Sequence, residues 1–214
     1  MAIHYHPFRQ PFRPLLLACL LSVLATLLSP SSAPLAGEAI QGPNGLYVQD
    51  WFHESFLDMS EDLTEAAEQG KHLAILWEQR GCPYCREMHA VNLADEEIRS
   101  YIQENFTVIQ LDMWGSREVT DFDGEALEER AMARKWGVHF TPTIMFFSND
   151  LALIAGKPAH KGEIMRMPGY FRPYHFVSMF EYVRGAHYEN IGFQKFIQAR
   201  FDRLKEEGKE PKVW

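Results

Sequence analysis

His72-Leu73-Ala74-Ile75-Leu76-Trp77-Glu78-Gln79-Arg80-Gly81-Cys82-Pro83-Tyr84-Cys85 is the stretch that decides the fold. His72 to Trp77 is a short apolar run of the buried-strand type. Gly81 breaks the chain just before two cysteines that are separated by two residues. Pro83 suits the first turn of a helix, where its missing N–H costs nothing, and Cys85 to Val91 continue that helix. The stretch therefore reads as strand, break, cysteine pair and helix start. The 214-residue chain has only 3 cysteines, and the remaining one, Cys19, lies in an apolar N-terminal run. Once Cys19 is set aside, Cys82 and Cys85 can pair only with each other. They are a candidate dithiol/disulfide exchange site.

The N-terminus has the order of an export signal. Met1 to Pro14 carries Arg9 and Arg13 and no acid, Leu15 to Leu28 is almost entirely apolar, and Ser29 to Ala39 is rich in Ser, Pro and Ala. Cleavage after Ala33 or after Ala39 satisfies the small-x-small pattern. The apolar run is shorter than the ~20 residues a bilayer span needs; the alternative is an uncleaved N-terminal anchor. Either way the rest of the chain is exported. An oxidising compartment invites structural disulfides. This chain must instead rely on its apolar core, and with 46% hydrophobic and 13% aromatic residues it can. The net charge of −8 argues against a nucleic-acid partner.

Along the chain, Gly37 to Gly45 reads as a flexible lead-in. Trp51 to Gln69 has apolar residues at helical spacing and ends at Gly70. Asp95 to Asn105 is a helix with Asp95 as its N-cap and acids in its first turn. Phe106 to Met113 alternates like a strand, Asp121 to Gly124 is a turn, and Glu125 to Trp136 is a helix closed by Gly137. Thr143 to Phe147 is a strand behind Thr141-Pro142. Leu151 to Ala155 and Glu163 to Met167 are strand candidates. Tyr174 to Gly185 and Phe193 to Glu207 are helical; the aromatic residues Tyr170, Phe171, Tyr174 and Phe176 read as helical core or as a partner surface. The alternation of strands with helices argues for a mostly parallel α/β sheet with one antiparallel edge. The domains are residues 1–39 (signal and cleavage region), 46–190 (α/β domain) and 191–214 (helical extension).

At a helix N-terminus Cys82 faces unpaired N–H groups and the positive dipole end. Such thiols have pKa values of roughly 3.5 to 7.5, against ~8.5 for a free cysteine. Cys85 lies one turn further in and is less exposed. Cys82 is therefore expected to attack and Cys85 to resolve the mixed disulfide. The competing reading is a metal half-site. Zinc wants four ligands and no second cysteine pair exists. A Cu(I) site with His89 or Met88 is conceivable, which would make the protein a copper chaperone; otherwise His89 is a packed or solvated helix residue. No metal or cofactor is assigned.

Strand, Cys-x-x-Cys, helix and a later Thr-Pro before a strand resemble the thioredoxin family. The resemblance implies a thioredoxin fold, with a mixed central sheet flanked by helices and with N- and C-terminal helical extensions here. It implies a redox-active Cys82–Cys85 disulfide, a cis Pro142 packed against it, and substrate binding beside Thr141 and Pro142 by strand addition. Gly81 to His89, Asn92 to Asp95, Trp114-Gly115, Arg117 to Gly124, Ala133 to Val138 and Met167 to Tyr170 are together similar to the SoxW-like periplasmic thioredoxins of sulfur-oxidation clusters. That likeness implies a monomeric periplasmic thiol–disulfide oxidoreductase, fed electrons by a CcdA-type inner-membrane transporter, that keeps exported cysteine proteins reduced. An oxidase or isomerase is the alternative.

The chain departs from the family in three places. Pro83-Tyr84 stands between the cysteines where thioredoxin has Gly-Pro. Gly81 precedes the pair where thioredoxin has Trp. Leu76 occupies the position of a buried Asp. Glu78 is the nearest acid and the candidate proton acceptor for Cys85, or else an exposed Glu at a strand end.

Overall fold

His72–Glu78 forms β1, buried along its whole length, and the rest of the fold is arranged about it. In this computed structural model residues 1–2 and 37–210 are described. The export signal read over residues 1–39, with Cys19, lies almost wholly outside them. Among the described residues no helix is long and apolar enough to cross a membrane.

In chain order the elements are α1 (Met59–Glu68), β1, α2 (Pro83–Glu87) running into a π-helical turn (Met88–Asn92), α3 (Glu96–Asn105) and β2 (Phe106–Asp112). Then come β3 (Glu118–Thr120), β4 (Ala126–Glu128), α4 (Glu129–Lys135), β5 (Thr143–Phe147), α5 (Ala159–Gly162), β6 (Met165–Pro168), α6 (Pro173–Arg184) and α7 (Phe193–Glu206). The main sheet has the order β2-β1-β5-β6. β1 and β2 are parallel, from His72 opposite Phe106 to Glu78 opposite Asp112. β5 runs antiparallel to both β1 and β6. The sheet is therefore mixed rather than mostly parallel. Alternation of strands with helices reports layering; strand direction depends on which end of the sheet each connection re-enters, and periodicity does not encode that.

Period-2 alternation divides β1 between two cores. Leu73, Ile75 and Trp77 pack with Met59 and Leu63 of α1, with Met132 of α4 and with Trp136 just after it. Ala74 and Leu76 pack on the other face with Met88, with Ile98 and Ile102 of α3, and with Phe176 and Phe180 of α6. Tyr174 and Phe176 are thus helical core. α7 is tied to α6 by Tyr174 Oη donating to Ile197 O at 2.8 Å and by the Arg200–Glu181 ion pair.

Three sequence expectations are corrected. The first helix starts at Met59, not Trp51: Leu57 has φ 66, which no helix tolerates, and Asp58 caps the N–H groups of Ser60 and Glu61. The helix read over Glu125 to Trp136 loses its first turn to a hairpin, in which Ala126–Glu128 pairs with Glu118–Thr120. Leu151 to Ala155 is no strand. Asp150 caps the N–H of Ala152 and starts a single 3₁₀ turn, Leu151–Leu153.

Two buried titratable groups lie near the N-terminal ends of these elements. Asp62 of α1 is pushed up from 3.8 to about 6, chiefly by burial, against the lowering effect of its hydrogen bond from Ser55. His72 at the start of β1 is pushed down from 6.5 to about 4, also chiefly by burial, with Arg184 adding to it. A raised carboxyl contributes stability that is complete below 3.8 and lost as pH rises through about 6. A depressed imidazole contributes stability that is complete above 6.5 and lost as pH falls through about 4. Between those limits the two slopes oppose each other. Asp62→Asn is expected to expose a steep acid loss below pH ~6.5, and His72→Gln a gain on acidification, each of about 3 kcal/mol at most. Urea midpoints across this range check it; parallel slopes in the two variants would contradict it.

Candidate active site

β1 ends at Glu78, and the chain turns out of the sheet through Gly81, whose φ of 70 is the left-handed conformation glycine adopts without strain. Cys82 follows as the N-cap of α2, with Pro83 in the first helical turn. Its Sγ accepts the backbone N–H of Cys85 at 3.0 Å. Cys82 and Cys85 are joined as a disulfide with their Cα atoms 5.2 Å apart. Both are buried, Cys85 completely.

The loop that leads into β5 covers the pair. The Thr141–Pro142 bond is cis, and Pro142 is buried. Thr141 Oγ1 donates to Cys82 Sγ at 3.5 Å, and Thr141 O lies 3.6 Å from the same sulfur. Thr141 is therefore in contact with the Cys82 sulfur, with the cis-proline next to it.

Exposed aromatic side chains flank this contact. Tyr84 and Phe140 are 62% and 66% exposed. Tyr84 stacks on Tyr170 at 6.4 Å. Tyr170 is held in turn by Asn92, which accepts from its hydroxyl at 3.3 Å and donates to Phe171 O at 2.8 Å. Trp114, also exposed, donates its indole N–H to Gln79 at 2.7 Å, just before the cysteine pair.

The Trp114 loop is clamped by buried Glu129, which accepts from Asp112 N at 2.9 Å and from the Arg117 guanidinium at 2.5 Å. Gly115 passes directly over that carboxylate, and a Cβ there would collide with it. Gly115→Ala is expected to lower stability by about 1–3 kcal/mol through overpacking alone. A denaturation midpoint checks it, and an unchanged midpoint contradicts the packing.

Glu78 is not an exposed strand-end residue. It is fully buried, and its carboxylate accepts from His89 Nε2 at 3.1 Å and from Gln110 Nε2. Gln110 went unrecognised in the sequence. His89 stands out there, one turn after Cys85, as a copper-ligand candidate or a packed or solvated helix residue rather than as a partner of Glu78; it is packed. Both of its nitrogens are engaged, Nδ1 by Gln49 at 3.1 Å, and Met88 is packed in the core. Both residues that the copper reading named are therefore already engaged.

A disulfide-capable pair at a helix start, beside a cis-proline loop and on a mixed α/β sheet, defines a thiol:disulfide oxidoreductase of thioredoxin-like fold. The chain belongs to the thioredoxin-like domain family, whose model matches residues 59–184. No curated protein matches it. Among solved structures it is similar to a thioredoxin-fold protein from Helicobacter pylori, at 19% identity over 69% of this chain and 97% of that one, with a TM-score of 0.49. A thioredoxin from Thermus thermophilus is 21% identical over 59% of this chain and 83% of its own, with a TM-score of 0.45. The DsbD C-terminal domain from Neisseria meningitidis in its oxidised form is 17% identical over 57% of this chain and 90% of its own, with a TM-score of 0.40.

Proposed function

We propose that the protein is an exported, monomeric reductant of disulfides in periplasmic cysteine proteins. Cys82 is the attacking residue and Cys85 the resolving one. The observation that carries the assignment is the Cys85 N–H aimed at Cys82 Sγ at 3.0 Å, a donor that stabilises a thiolate on Cys82 and on no other sulfur. The Cys82 thiolate attacks one sulfur of the partner's disulfide, and the other sulfur leaves as a thiolate. Cys85 thiolate then attacks Cys82 Sγ, breaking the mixed disulfide and releasing the partner's second thiolate. The partner gains two electrons and the cysteine pair gives up two.

Thr141 and Pro142 supply the edge along which the partner chain lies, and Tyr84, Phe140 and Trp114 supply apolar contact around it. Glu78 accepts the proton that Cys85 must lose before it can attack. The sequence likeness of the motif segments supports partners in sulfur oxidation and electrons from a CcdA-type transporter.

Direction is tested by the reduction potential, measured by equilibration against glutathione or dithiothreitol buffers. A value near about −270 mV fits a reductant; one near about −120 mV would make the protein an oxidant and overturn the reading.

A further inference from the structure

Glu78 and His89 belong to a longer chain of hydrogen bonds, buried at Glu78 and His89 and half-buried at Gln49 and Trp51. Trp51 Nε1 donates to Gln49 Oε1 at 3.3 Å, and Gln49 Nε2 faces His89 Nδ1 at 3.1 Å. An indole N–H is only a donor, so it fixes Gln49 with its oxygen toward Trp51 and its amide nitrogen toward His89. His89 Nδ1 therefore accepts, and the ring proton sits on Nε2, which donates to both Glu78 oxygens at 3.1 and 3.2 Å. Gln110 is held for its own donation to Glu78 by a second bond, to Tyr47 O at 2.6 Å. The helix widens here into a π turn, closed by Leu93 N–H to Met88 O at 2.9 Å, an irregularity frequent at functional sites.

His89 also borders a groove of about 450 Å³ lined by Gln49, Glu38, Asp50 and Arg99, although its own ring is fully buried.

We propose that His89, itself oriented by Gln49, is the positioning residue that holds Glu78 as the acceptor of the Cys85 proton. The proposal rests on the reading of Glu78 as proton acceptor. The proton leaves Cys85 as that residue becomes a thiolate and is held on Glu78. Removing the Nε2–H donor leaves the Glu78 carboxylate to Gln110 alone, so it is no longer held in place. The other titratable groups facing the pair are Tyr47 at 5.9 Å from the His89 ring, and Glu38, Asp50 and Arg99 across the groove. Asp112, opposite Glu78 in the sheet, is turned to the Trp114 N–H at 3.0 Å.

The test is stopped-flow mixing of the reduced full chain with dithiobis(nitrobenzoate) from about pH 5 to 9. Attack by Cys82 releases one thionitrobenzoate and attack by Cys85 a second. Glu78→Gln should slow the second phase about 10–100-fold at pH 7 and spare the first. His89→Phe should slow the second phase about tenfold, while His89→Gln, which keeps an amide donor for Glu78, should recover most of the rate. The double variant Glu78→Gln/His89→Phe should be no slower than Glu78→Gln. If Glu78→Gln leaves the second phase unchanged, the proton-acceptor reading fails and the positioning role of His89 with it. If Glu78→Gln slows that phase but His89→Phe changes only the melting temperature, the positioning role alone is overturned.

Discussion

Cys82→Ser should reduce the rate of protein disulfide reduction to background, a loss of at least about 10³-fold. Cys85→Ser should behave differently. It leaves the attacking sulfur at the helix N-terminus and removes only the group that breaks the mixed disulfide. That variant should accumulate a covalent complex with its partner, visible as a shifted band on non-reducing gels and lost on adding dithiothreitol. The asymmetry follows from geometry. The backbone N–H of residue 85 points at Cys82 Sγ at 3.0 Å whatever side chain residue 85 carries, so the serine variant keeps that donor. A thiol lowered to ~7 is about half ionised at neutral pH, against a few per cent at ~8.5. Iodoacetamide should therefore modify reduced Cys82 well before Cys85, which is completely buried. If Cys85 is the residue alkylated first, or if Cys85→Ser forms no mixed disulfide while Cys82→Ser does, the roles are reversed.

The fold was legible from β1 because a run buried on both faces, a glycine break and Pro83 at a helix start are all local signals. The proton-accepting side of the site was only half legible. The family resemblance put an acid at position 76, where the chain has Leu. Residues 76 and 78 are two apart on one strand and so face the same side of the sheet. Moving the acid by one pleat keeps it in the same core, which explains why Glu78 is buried there. His89 stood out in the sequence one turn after Cys85, but nothing local paired it with Glu78. Gln49 did not stand out: it comes from an irregular lead-in segment, and nothing local tells which buried side chain such a segment will reach. The hairpin of β3 and β4 was missed for a related reason. Its strands are three residues each, too short for alternation to register, and Ala126-Leu127-Glu128 fits a helical pattern equally well.

Asp121→Ala should cost about 3–5 kcal/mol, the largest stability loss expected of a single change away from the cysteines. Asp121 is 1% exposed and gathers donors from three parts of the chain. Its Oδ2 accepts the Trp136 indole N–H at 2.8 Å and lies 2.7 Å from Lys135 Nζ. Its Oδ1 accepts the backbone N–H groups of Phe122 and Ala159, both at 2.8 Å. Truncation orphans three buried N–H groups, each worth about 1–3 kcal/mol when left unpaired, though not additively. Lys135 is less exposed to the loss. Its ammonium is held well above the usual lysine range by Asp121, Glu125 and Asp123 together, and two of these remain. The effect should reach the active site through Trp136. That ring meets Trp77 of β1 edge-on at 5.5 Å, and five residues later the same chain delivers Thr141 to Cys82. Asp121→Asn keeps an acceptor for Oδ1's two backbone donors and should recover about half of the lost stability. Urea midpoints of the two variants, measured with the disulfide intact, decide it: equal losses in Ala and Asn would mean that the charge on Lys135, not the three N–H groups, is what Asp121 serves.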